Sequence, residues 1–164
     1  VASFGDLEAR FARLEAVLPS AVLAAANEMP PPFVSIARSI MRLGHPLHTQ
    51  TPSMPGTPPA WISGALKGSF VNTAAVLTGD VTARSLTGPT VRYARIQELG
   101  GMMRAHNPSG FMHWQQPPGV WHRSRAHSLP PRPYMRPANA IAVYEGGIRD
   151  AAGEAFGAIV DAVL

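Results

Sequence analysis

Cysteine is absent from this chain of 164 residues. That excludes disulfides and thiolate metal sites, and leaves only histidine and carboxylate ligands for any metal. Long apolar runs are missing too. No window approaches the roughly 18 consecutive apolar residues of a membrane span, so no contact with a membrane is expected. The stretch from Val1 to Arg13 mixes acids and bases on an amphipathic pattern, unlike the charged start and apolar run of a secretory signal. A soluble protein made in a cytoplasm is the expectation. Charge is scarce, at 15% of residues, yet 46% of the chain is hydrophobic, too much for a disordered protein. Seventeen prolines and fifteen glycines then imply a folded chain with long irregular connections.

Lysine is nearly missing: thirteen of the fourteen basic residues are arginine. The net charge of +4 permits contact with nucleic acid or an acidic protein, but is modest for a dedicated DNA binder. Its distribution is more telling. No acid lies between Glu98 and Glu145, where Arg104, Arg123, Arg125, Arg132 and Arg136 fall together with four of the six histidines.

Phe4, Leu7, Phe11, Leu14 and Leu18 recur every three or four residues, the pattern of an amphipathic helix. Pro19 predicts a break or kink before an alanine-rich stretch resumes the helix, and Pro30-Pro31-Pro32 predicts its end. Phe33 to Leu43 reads as a further helix, with Phe33, Ile36, Ala37, Ile40 and Met41 on one face and Gly44 as the stop. Residues 1–44 are thus a helical region. Residues 45–59 hold five prolines and no charge. They form a loop that is either a solvated connector or an arm reaching a neighbouring subunit, which would give Met54 a use.

Ala60 to Phe70 suggests a short helix leading into a strand. Phe70–Leu77 and Val81–Leu86 are strand candidates joined at Thr78-Gly79-Asp80 and closed by Gly88-Pro89. Val91 to Leu99 fits one or two helical turns, with Tyr93 and Ile96 buried, ended by Gly100-Gly101. Two turns, Asn107-Pro108-Ser109-Gly110 and Pro117-Pro118-Gly119, separate three extended segments and make 101–129 a long hairpin-like insert. The last helix, 137–164, starts near Pro137. Its buried stripe is Ile141, Tyr144, Ile148, Ala152, Phe156, Ile159 and Val163, with a weak point at Gly146-Gly147, where two glycines cost about 2 kcal/mol relative to alanine. Helices, then strands (60–136), then a helix describe a single α+β domain, with its helices packed on a small, mostly antiparallel sheet.

Nothing in this pattern reads as an active site. Glu98 has no second carboxylate, Ser-His pair or metal triad near it in sequence, which argues against the alternative of a general base. His45 and His48 sit in a proline loop, His122 and His127 flank arginines, and no HExxH occurs, so no metal or cofactor is expected. Pro130 to Pro137 contains four prolines, which impose an extended backbone and deliver Tyr134 and Met135 into the core before the last helix; an SH3-type ligand is the alternative use. Arg104, Arg123 and Arg125, interleaved with Trp114 and Trp121, leave three readings open. They belong to a subunit interface with Met54, Trp61, Met103, Phe111, Trp114 and Trp121 as anchors. Or they line a channel through which DNA passes unread. Or they form a stacking platform for single strands.

Two stretches carry a resemblance. Tyr93-Ala94-Arg95-Ile96-Gln97-Glu98-Leu99-Gly100-Gly101, followed by Leu129-Pro130-Pro131-Arg132-Pro133-Tyr134-Met135-Arg136-Pro137-Ala138 ahead of a terminal helix, resembles the neck proteins of long-tailed bacteriophages, the head-tail joining or tail-completion proteins. Ser63 to Phe70 is similar to a small-residue element of that family, and the likeness spans roughly Ala60 to Leu164. It implies Tyr93, Glu98, Gly100, Gly101, Arg132, Pro133, Tyr134, Arg136 and Pro137 as a structural motif, a corner in which Glu98 partners an arginine, Arg132 or Arg136, or a backbone amide. It also implies a non-enzymatic virion protein that assembles in the host cytoplasm into a ring, six-fold in the family. The ring's neighbours would be head-closure or connector proteins on one side and the tail tube or tail terminator on the other, with genomic DNA touched non-specifically. A tail terminator is the neighbouring role, and a small basic DNA-binding protein the more distant one.

Overall fold

A computed structural model describes residues 3–41, 53–60, 64–116 and 119–163; Gly44, most of the 45–59 arm and Trp61 lie outside them. The fold is α+β, with helices and two-stranded antiparallel sheets. Where the length suggested one domain, contacts gather into two compact units. The first comprises Val1–Ile36, Phe70–Gly88 and Asn139–Leu164, the second Ala37–Ser69 and Pro89–Ala138.

In the first unit, helix α1 (Phe4–Glu28) opens on a capping box. Asp6 N donates to Ser3 Oγ at 3.2 Å, and Ser3 N donates to the Asp6 carboxylate at 2.8 Å. A break at Pro19 does not occur, and α1 runs through it as one helix. Pro19 offers no N–H to the Glu15 carbonyl. The helix persists because α1 packs along α6 (Gly147–Asp161), and Ala21 and Ala26 are buried just beyond the proline.

The three prolines behave differently from expectation. Helix α2 (Pro30–Ile40) begins on them instead of after them. Without N–H groups they cannot continue the ladder onto the carbonyls of Ala26, Asn27 and Glu28, so α1 ends. A new helix loses nothing by starting there, since first-turn amides have no intrahelical acceptor. Two bonds tie down the end of α1: Ser85 Oγ donates to the Ala26 carbonyl at 3.3 Å, and Ala75 N donates to Asn27 Oδ1 at 2.8 Å.

The expected long strand from Phe70 resolves into β1 (Phe70–Asn72) and β2 (Val76–Gly79), followed by β3 (Thr82–Arg84) and β4 (Thr87–Pro89). β2 and β3 form the anticipated antiparallel hairpin, with Val76 opposite Arg84. β4 runs through the Gly88-Pro89 pair that the sequence marks as a terminator, and it pairs with β1. A two-stranded ladder leaves each strand one free edge, so Pro89 needs to forfeit no bond.

The single C-terminal helix is in fact two, α5 (Met135–Tyr144) and α6. Gly146 separates them with φ of 79°, a left-handed geometry that other residues adopt at a cost. Glu145 N still donates to Ile141 O at 2.8 Å, and Asp150 N then donates to Gly146 O at 2.8 Å to start the next helix. The break resets the phase of the apolar stripe. Tyr144, expected inside, is 92% exposed, while Ile148, Ala152, Phe156, Ile159 and Val163 are half-buried.

The second unit contains α3 (Ala65–Gly68), α4 (Ala94–Leu99) and the insert. The insert has four strands instead of three extended segments: β5 (Gly101–Arg104), β6 (Met112–Gln116), β7 (Val120–Ser124) and β8 (Ala126–Leu129). β5 pairs with β8, and β6 with β7, in nested antiparallel fashion. The returning side divides at Arg125, where Ala126 N folds back to Ser124 Oγ at 3.2 Å. Buried side chains in this unit include Ala37, Ile40, Met41, Leu66, Ala94, Tyr134 and Ala138.

Candidate functional site

Two side-chain arrangements stand out, both in the second unit. One is a clasp around Glu98; the other is the arginine-bearing hairpin.

Helix α4 carries Glu98 in its last turn, and Gly100 then reverses the chain with φ of 68°. The Glu98 carboxylate accepts three backbone amides: Tyr134 N at 2.7 Å and Met135 N at 2.9 Å on Oε2, and Arg136 N at 2.9 Å on Oε1. These are the amides at the start of α5 that have no intrahelical acceptor, and the next residue, Pro137, has no N–H. One remote carboxylate therefore satisfies every free donor of that turn and places negative charge at the positive end of the helix. The first intrahelical bond follows, from Ala138 N to Tyr134 O at 3.3 Å.

The sequence reading offered Glu98 an arginine or a backbone amide, and the amides are the partners. The Arg132 guanidinium goes elsewhere: its Nε donates to Ser53 O at 3.0 Å, while its backbone N donates to Gln97 O at 2.6 Å. Gly56 N donates to Pro131 O at 2.9 Å. The proline-rich strap thus threads between α4 and residues 53–57. Gly100 is indispensable to the close approach, because a Cβ there would lie 2.8 Å from Leu129 O and from Pro131 N. Both obstacles are backbone or ring atoms that cannot step aside.

Tyr134 is the largest fully buried side chain, at 1% exposure, and its hydroxyl donates to Ala94 O at 3.4 Å. Burial, then the Glu98 charge, then Tyr93 push its phenol above the ordinary tyrosine range. Met135 and Pro133 are half-buried and Arg136 is exposed. Tyr93 departs from expectation: it is 43% exposed, since it stands at the cap of α4 while Ala94 takes the inward position. Ile96 is half-buried.

In the hairpin, Asn107 shapes a compact loop that holds Phe111 in place. Asn107 Nδ2 donates to Phe111 O at 2.7 Å, and Phe111 N donates to Asn107 Oδ1 at 3.2 Å. Two guanidinium groups converge on that ring, Arg123 at 3.6 Å from its centroid and Arg125 at 5.2 Å. Arg104 lies nearby in register, opposite Ala126, where Ala105 N donates to Arg125 O at 3.2 Å. No carboxylate pairs with these three arginines among the described residues. Trp121 stands two residues before Arg123 on the same strand face and is 70% exposed.

Of the other anchor candidates, Met54 is exposed and Met103 lies on β5, also exposed. Trp114 is opposite His122 in β6, with its side chain outside the description. The structure therefore brings Phe111 into direct contact with Arg123 and Arg125. It also adds Ser53 and Gln97, whose backbone carbonyls hold the strap and leave no signal in sequence. Among the described residues no group of three histidine or acidic side chains could hold a metal ion, and no described helix is long and apolar enough to cross a membrane. No family model, curated protein or solved structure matches the chain.

Proposed function

We propose that the protein is a non-enzymatic structural component of a long-tailed bacteriophage, a subunit of a six-fold ring in the neck. The ring would join head-closure or connector proteins to the tail tube. The observation that carries this reading is the Glu98 clasp. The two stretches on which the resemblance rests, 93–101 and 129–138, meet as one physical unit through three carboxylate–amide bonds and the tight passage at Gly100. The two halves of the signature thus form one folded corner, which supports reading them together.

The apolar surface supports an assembling protein. Val76, Val81 and Leu86 in the first unit, and Met102 and Val120 in the second, are exposed large hydrophobic residues. A head-to-tail contact repeated by a closing rotation would give such surfaces partners. The decisive experiment is deletion of the gene in its phage, with electron microscopy of the lysate. Complete filled heads beside complete unattached tails are the expected result. Tails of uncontrolled length would assign the terminator role instead, and normal virions would refute both.

A further inference from the structure

The hairpin holds an arrangement that the clasp does not use. We propose that Arg104, Arg123 and Arg125, with Phe111 as a platform and Trp121 beside them, form a binding site for the phosphodiester backbone of single-stranded nucleic acid, blind to sequence. The inference concerns the isolated chain and does not depend on the neck reading.

Charge comes first. The stretch between Glu98 and Glu145 has five arginines and no acid, while the rest of the chain has nine basic residues against ten acidic ones. The excess positive charge of the protein is therefore confined to this stretch. Within it, two guanidinium groups share one phenylalanine ring, although like charges so close repel. They have no carboxylate partner among the described residues. Such a pair is at its most stable when an anion sits on it.

Geometry narrows the anion. Arg123 lies 3.6 Å from the Phe111 centroid, and a guanidinium held against a ring can still offer edge N–H donors to the paired oxygens of a phosphate. The Phe111 backbone is held by Asn107, and both guanidinium groups lie at its ring. Trp121 and Arg123, two residues apart on β7, place an exposed indole about 7 Å along the strand from the fork. A nucleotide chain alternates charged phosphates with flat bases and can use both groups at once. An acidic peptide can use only the charges.

The test is fluorescence anisotropy with a labelled twenty-residue oligothymidylate and the full-length protein. Three phosphate contacts predict a slope of log affinity against log salt near −2, a loss of about 20-fold between 50 and 200 mM salt. The double variant R123A/R125A should flatten this to about a 3-fold loss. Phe111→Leu keeps every charge and removes the platform, so weaker binding at unchanged slope is expected from it. Arg123→Lys with Arg125→Lys should do the same by losing the planar fork. Far-UV circular dichroism checks that each variant keeps its fold. Absence of binding at 50 mM salt, or binding unaffected by R123A/R125A, overturns the proposal. So does polyglutamate competing as well as the oligonucleotide, which would assign the patch to an acidic protein. Ring assembly is read separately by light scattering, so failure of this site and failure of the neck reading give different results.

Discussion

Replacing Glu98 is the sharpest probe of the clasp. The carboxylate accepts two part-buried amides and one exposed amide at the head of α5. Hydrogen bonds to charged groups contribute about 1.5 kcal/mol or more each where water is excluded. The exposed bond and the charge at the helix terminus together add about 1 kcal/mol. Glu98→Ala should therefore destabilise by about 4 kcal/mol, a large part of the 5–15 kcal/mol that holds a typical domain together. Glu98→Gln retains one acceptor oxygen but turns an NH2 group toward an amide N–H, so about 2–3 kcal/mol is expected. With a urea dependence of about 2 kcal/mol/M, the alanine variant should shift the unfolding midpoint by about 2 M and the glutamine variant by about 1 M. The assay is urea unfolding followed by circular dichroism and tryptophan fluorescence. If both variants unfold within about 0.3 M of the parent, the carboxylate does not organise the corner.

Gly100→Ala combines a left-handed φ with a Cβ driven into the strap backbone, and should cost roughly 3 kcal/mol. Gly146→Ala has a similar φ but meets only the movable ends of Arg149 and Asp150, so thermal melts should place its cost nearer 1 kcal/mol; equal effects would refute the distinction. Tyr134 links stability to alkaline pH. Its phenol is held above the ordinary value, so the folded state keeps a proton that the unfolded chain releases above about pH 10. That contribution is fully present at neutral pH and is lost as pH rises toward the folded value. Tyr134→Phe should lose the bond to Ala94, roughly 0.5–1 kcal/mol at pH 7, and show a shallower fall in stability between pH 10 and 11. An identical slope in parent and variant would show that another group controls alkaline unfolding.

Sequence and structure part company where a local rule meets a neighbour distant in the chain. Pro19 has the local signature of a break, yet packing against α6 holds α1 together across the missing bond. Pro30-Pro31-Pro32 marks a boundary correctly, but the same absence of N–H groups that ends one helix suits the start of the next, and sequence alone did not assign the prolines to α2. Gly146-Gly147 was legible as a weak point. That Gly146 would take a left-handed φ and divide the helix, turning Tyr144 outward, depended on where α6 found its packing.

The sequence by itself determined the α+β class, the double-glycine corner after Leu99, the turn at Asn107–Gly110 in the hairpin insert and the acid-free run that concentrates positive charge. These follow from periodicity, from residues with special backbone freedom and from composition, all of which are local properties. Only the tertiary structure decided that Glu98 serves three amides 36 to 38 residues away, that Arg132 turns to Ser53, and that Arg123 and Arg125 meet on Phe111. A carboxylate, a guanidinium or a ring can satisfy many partners equally well. Which one it meets is set by chain reversals that bring distant segments within about 3 Å, the range over which hydrogen bonds discriminate.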